Sequence, residues 1–121
     1  MGRVLLWSTS ILLFAHGALQ AITRKASFAS LYSAVDAPAS IAPLVGSVEM
    51  AVAILVLVAP VPALLIAIAI WKVASESLFP LSGTPIWEFV ERGGSYTAPL
   101  ALVLLSGTSP FTRITFSRSN R

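Results

Sequence analysis

Apolar residues follow one another along this chain in long blocks with little alternation, and a block of about 20 is enough for a helix to cross a bilayer. Four blocks stand out, at residues 4–22, 41–59, 62–79 and 95–108. Arg24 and Lys25 stop the first, and residues 26–40, with Tyr32, Asp36 and Pro38, connect it to the second. Pro60-Val61-Pro62 is too short and stiff for anything but a tight helical hairpin. After the third block, residues 80–85 (PLSGTP) break the helix, and residues 86–92 (IWEFVER) read as a short amphipathic piece at the interface. Gly93-Gly94 ends that piece, and the fourth block is short and holds Pro99. A basic tail at 109–121 carries Arg113, Arg118 and Arg121. The pattern predicts one all-α domain over 1–121. Its architecture is that of a polytopic membrane protein, an antiparallel four-transmembrane-helix bundle with an interfacial helix before the last span.

Composition agrees with that reading. Hydrophobic residues make up 56% of the chain and charged ones 11%, with a mean hydropathy of +0.86. Soluble domains carry about 25% charged residues. A soluble chain of 121 residues could not bury this much apolar surface. With no cysteine, disulfides, thiolate metal sites and thiol chemistry are excluded. A net charge of +3 and a pI near 10.0 would suit nucleic acid, but the basic residues stand singly near block ends. They report topology and contact with anionic lipid, and no nucleic-acid partner is expected. Arg3 ahead of an apolar run imitates a secretory signal, yet His16 and Gln20 spoil the cleavage region, so the first span is expected to stay. Leu6 likewise rules out the myristoylation pattern at Gly2.

Four spans put both termini and the Pro60–Pro62 turn on one side, with Arg3, Arg113, Arg118 and Arg121. Arg24, Lys25 and Arg92 fall on the other. The positive-inside rule then favours cytoplasmic termini by a narrow margin.

The ionisable residues inside the blocks carry the functional question. Glu49 sits within an apolar run where a carboxylate costs about 2.5–3.5 kcal/mol on insertion scales. At about 1.5 Å rise per residue, His16, Glu49, Lys72 and Glu76 all fall at overlapping depth in one half of the bilayer. Thr9, His16, Gln20 and Thr23 form a thin polar stripe on the first span. Gly46 and Ala53 flank Glu49 on its own face and are small enough for close helix approach. Lys72 and Glu76, four apart, can pair along their helix, with Ser75 on the same side. Glu49 is expected to meet Lys72 or His16, leaving Glu76 to Arg92 or a headgroup. Two readings stay open: a structural polar lock, or a small-molecule or proton site built from His16, Gln20, Glu49, Lys72 and Glu76. The bland alternative has Lys72 snorkelling and Glu76 reaching water.

Other chemistry is sparse. One His and no Cys make a protein-ligated zinc or di-iron site improbable, and His16 alone supports haem only weakly. Gly93-Gly94 lacks the context of a phosphate loop, and no serine stands in a nucleophile elbow. Trp7, Trp71, Trp87, Tyr32 and Tyr96 mostly lie near span ends, as interfacial aromatics do. No catalytic residue is nominated.

Three stretches nonetheless form a pattern: Phe14-Ala15-His16-Gly17, Gly46-Ser47-Val48-Glu49, and residues 87–100 (WEFVERGGSYTAPL). In these, and in span count and order, the chain resembles the DoxX-like four-helix membrane proteins. The resemblance implies a small bacterial or archaeal inner-membrane subunit, in some members accompanying quinone-linked oxidoreductases. It marks Gly46, Glu49, Glu88, Arg92, Gly93, Tyr96 and Pro99 as motif positions without a catalytic role. The His16-Gly17 pair departs from the pattern, because no basic residue follows it directly. The expected function is therefore a non-catalytic subunit packed within a larger respiratory or photosynthetic membrane complex. Its partners would be membrane lipids and other integral subunits. The alternative is a protein that binds a quinone, lipid headgroup or other small molecule, or relays protons. No intrinsic cofactor is expected, and a bound quinone or lipid is the ligand class left open.

Overall fold

A computed structural model describes residues 1–22 and 26–116, and these form helices and turns with no strand among them. The expectations placed on Thr23, Arg24, Lys25, Arg118 and Arg121 lie outside the described residues. The elements are α1 (Gly2–Ile22), α2 (Ala26–Ser33), a single 3₁₀ turn (Ala39–Ile41), α3 (Ala42–Val58), α4 (Pro62–Glu76), α5 (Leu78–Leu81), α6 (Ile86–Glu91) and α7 (Gly94–Ser106). Three stretches are long and apolar enough to cross a membrane: Gly2–Ile22, Ala39–Val58 and Pro62–Leu81. Large apolar side chains point outward along them, Val4, Ile11, Leu44, Ile54 and Ile70 among them.

The chain's punctuation follows its sequence. Proline opens both α3 and α4 within their first two positions, where an amide proton has no helical acceptor to lose. Gly107 closes α7 at φ +58°, a left-handed conformation that glycine adopts without steric cost. Pro99 lies inside α7 and does not end it.

Four features differ from the sequence reading. Helix α7 has 13 residues, about 20 Å of rise, and falls short of the ~30 Å hydrocarbon core. The connection over 26–40 contains α2 and the 3₁₀ turn, with Asp36 at φ +54° between them. Pro80 sits within α5, so the break after the third stretch comes at Ser82–Thr84. Finally, the start of the basic tail folds back on the helices. Ile114 is buried, its N–H donates to Pro60 O at 2.7 Å, and Ala63 N–H donates to Pro110 O at 2.8 Å. These two bonds satisfy backbone groups that the Pro60–Pro62 corner leaves free.

Helix α1 is central. It packs against α3 and α7, and α7 packs in turn against α4. Although joined by only Ala59–Val61, α3 and α4 are not among the closely packed helix pairs of the described residues. They face each other across a groove. Leu6, Leu13, Val56, Leu65, Leu102 and Ile114 form an apolar core at the end of the molecule that holds the Pro60–Pro62 corner. The polar side chains gather toward the opposite end.

Candidate functional site

The polar cluster begins with a contact that has no side chain in it. Where α1 crosses α3, Gly17 and Gly46 meet backbone to backbone, and a Cβ built on Gly17 would lie 2.5 Å from Gly46 O. The same Cβ would come within 3.0 Å of Glu49 Cβ. Small residues let helices approach at van der Waals distance inside a membrane. Here that approach draws Glu49 against α1, where it is 3% exposed. About two turns further along the same helix pair, Ser10 Oγ donates to Ala53 O at 2.5 Å.

Both Glu49 oxygens are engaged. Oε1 accepts from Trp71 Nε1 at 2.7 Å and lies 3.4 Å from Lys72 Nζ. Oε2 accepts from Gln20 Nε2 at 3.3 Å. Gln20 Oε1 accepts in turn from the Tyr32 hydroxyl at 2.5 Å, tying α2 to the interior. Burial, with the Glu49 charge adding to it, holds the Tyr32 phenol above its ordinary range, so it remains a donor. Lys72, 1% exposed, also reaches Glu76 Oε1 at 2.9 Å. A buried ammonium between two carboxylates is tolerable only because each charge meets its opposite.

Glu76 forms the second half of the network. His16 Nδ1 stands 3.3 Å from its Oε1, outside hydrogen-bond geometry. Arg92 Nε lies 3.6 Å from Oε2, beyond hydrogen-bond length, so this buried oxygen has no donor. The Arg92 guanidinium rests 4.0 Å above the Phe79 ring and reaches Glu88 at 3.8 Å. A cavity of about 320 Å³ opens beside these groups under α2. His16, Gln20, Tyr32, Lys72, Glu76 and Arg92 provide its polar lining, and apolar side chains such as Leu31 and Val45 provide the rest.

The structure thus brings together all five residues singled out within the blocks: His16, Gln20, Glu49, Lys72 and Glu76. Lys72 serves both carboxylates, and His16 turns to Glu76 and not to Glu49. Lys72 does not snorkel and Glu76 does not reach water, because both are folded inside the protein. Thr9 is buried too, but its hydroxyl donates to Leu5 O within its own helix. Among the motif positions, Gly46 makes the helix crossing and Arg92 with Glu88 borders the cavity. Gly93 and Tyr96 shape the turn into α7. A Cβ on Gly93 would lie 2.9 Å from Val90 O, and the Tyr96 hydroxyl donates to Phe89 O at 3.2 Å. Pro99 is buried within the helix.

Sequence reasoning missed two participants. Trp71 and Tyr32 were expected as interfacial aromatics, yet both hydrogen-bond into the cluster. For Trp71 a signal existed. It adjoins Lys72 and lies one helical turn before Ser75, on the side of α4 that carries the charges. No group of three or more His, Asp or Glu side chains is placed to hold a metal ion among the described residues.

No protein-family model matches this chain, and searches of curated proteins and of solved structures find no match.

Proposed function

We propose that this chain is a small integral membrane protein, a bundle of four antiparallel helices of which three are long enough to span the bilayer, that holds the polar head of a membrane-dissolved small molecule, a quinone or a lipid. One observation carries this reading. Glu76, whose buried Oε2 has no hydrogen-bond donor and only Arg92 Nε facing it at 3.6 Å, is one of the polar residues lining a cavity of about 320 Å³. Leaving such an acceptor unmet costs about 1–3 kcal/mol or more for a charged group, and a bound hydroxyl or amide removes that cost. The order of contacts supports the antiparallel arrangement: Ser10 meets Ala53 while Gly17 meets Gly46. Arg3 Nη2 donates to Phe116 O at 3.5 Å, so the start of α1 and the segment 110–116 share the side of the Pro60–Pro62 corner, and Arg3 and Arg113 there favour the cytoplasm.

The test is extraction in mild detergent followed by mass spectrometry of what stays bound. The unaltered protein is expected to retain a defined small molecule at near-equal ratio, and Glu76→Gln is expected to release most of it. Bulk lipid alone in both samples would overturn the reading.

A second reading, membership of a larger DoxX-like assembly, draws on α7. This helix is too short to span alone, and Leu104 and Leu105 are 82% and 62% exposed near its end. A neighbouring subunit would cover them, with the Glu49–Lys72 pair acting as the lock that keeps the protomer's shape. Isolation of this chain as a monodisperse species from native membranes, with no co-purifying protein, would count against it.

A further inference from the structure

The groove between α3 and α4 has a volume of about 380 Å³ and is lined by Leu44, Val48, Val52, Leu64 and Ala67, together with Glu49. It adjoins the polar cavity: Ile41, Val45 and Trp71 line both spaces. From Ile41 to Val52 the groove follows α3 for about 16 Å, roughly half the thickness of the hydrocarbon core. Its walls offer an alkyl chain dispersion contact along that length, and its open side faces the hydrocarbon.

The polar end restricts the other half of the ligand. Lys72 and Arg92 balance Glu49 and Glu76, and Glu88 at the rim adds a further negative charge. An anionic head would meet no net positive field, and its oxygens could not donate to Glu76 Oε2. A cationic head would need to compete with Lys72 and Arg92, which already flank that carboxylate. A hydroxyl both donates and accepts, and it brings no charge to desolvate.

We infer that the site takes a single-tailed amphiphile with an uncharged, hydroxyl-bearing head. The hydroxyl reaches the Glu76 carboxylate from the cavity, donating to Oε2 as the partly exposed Arg92 moves aside, and the tail passes Trp71 into the α3–α4 groove. This rests on the head-binding reading above and adds both the head's chemistry and the route of the chain.

Trp71 is the natural reporter, since Trp7 and Trp87 can be replaced by Phe to leave it as the single tryptophan. In nanodiscs of saturated phosphatidylcholine, a monoglyceride carrying a dibrominated stearoyl chain should quench Trp71 saturably. Glu76→Gln should weaken that binding at least tenfold. Ala67→Phe and, separately, Val48→Phe fill the groove from lipid-exposed positions where folding should persist. Each should abolish saturable quenching, while a butyl glycerol ether too short for the groove still binds the cavity, read as Glu76-dependent exchange broadening of its own signals. Saturable quenching that survives both groove-filling variants would overturn the tail route and leave head binding intact. Tighter binding of dibrominated stearate than of the monoglyceride would overturn the uncharged head. No Glu76-dependent binding by any probe would overturn both this inference and the reading beneath it.

Discussion

Gly17 and Gly46 meet at the crossing of α1 and α3 so closely that a Cβ on either would overlap the other's carbonyl oxygen. The contact positions Glu49, because the same approach sets its Cβ against Gly17. Alanine at either glycine should therefore destabilise the protein. Overpacking typically costs about 1–3 kcal/mol, whereas relief of helical glycine contributes up to about 1 kcal/mol in the other direction. Thermal unfolding in detergent should show a clear fall in Tm for Gly17→Ala and for Gly46→Ala. A rise in either would mean that the helices separate without penalty.

Lys72 is shared by two buried carboxylates, so its removal should cost more than removal of either partner. Lys72→Met leaves Glu49 and Glu76 facing each other without the ammonium, an expected loss of about 3–5 kcal/mol. Adding Glu49→Gln to Lys72→Met should restore part of that, since the second change removes a stranded charge. A double-mutant cycle reads the coupling directly, and strictly additive losses would contradict the network.

Trp71→Phe deletes the indole N–H that meets Glu49 Oε1 at 2.7 Å while keeping the ring's apolar bulk. The loss of one donor to a charged acceptor should cost about 1.5–3 kcal/mol. When Glu49→Gln is already in place, the same substitution should cost less, because the acceptor is then uncharged. Equal costs with and without Glu49→Gln would place the indole's role elsewhere.

Tyr32 should ionise late. Burial is the larger cause and the Glu49 charge the smaller, so ultraviolet titration should place its phenolate above the ordinary tyrosine range. The sign for stability follows: the contribution is full below the ordinary phenol value and is lost as pH rises through the higher folded one. Glu49→Gln should bring the midpoint part of the way back. A midpoint already ordinary in the unaltered protein would show that the ring is not held against the interior.

Ile114 is only 5% exposed in the apolar core although it lies beyond α7. Ile114→Ala should destabilise by about 2–5 kcal/mol, as truncations of buried isoleucine do. The same substitution at Ile54, 56% exposed on α3, should change Tm far less. Comparable shifts at the two sites would mean that the tail does not pack.

Much of this architecture was legible in the chain. Block lengths of apolar residues set the three long helices, since a bilayer admits no other backbone arrangement for such runs short of a closed barrel. That His16, Glu49, Lys72 and Glu76 lie at one level of the bundle, close enough to pair, followed from helical rise alone. The small residues around Glu49 marked the face that meets another helix, and Gly46 is indeed at that crossing. Pairing by proximity in sequence also held for Lys72 and Glu76, which are four residues apart.

What sequence could not give depends on contacts between segments distant in the chain. Periodicity assigns a face to each helix but not the neighbour it turns toward, so α1 at the centre and the open groove between α3 and α4 emerged only with the packing. Hydrogen-bond partners are chosen by fractions of an ångström. Trp71 and Tyr32, amphipathic enough to suit an interface, were therefore drawn to Glu49 and Gln20 by geometry that no spacing rule encodes. Composition determined that charged side chains within the apolar blocks must find partners. Tertiary structure decided which partners, because desolvated charge is stabilised only by groups within a few ångströms, and left one Glu76 oxygen still waiting for a donor.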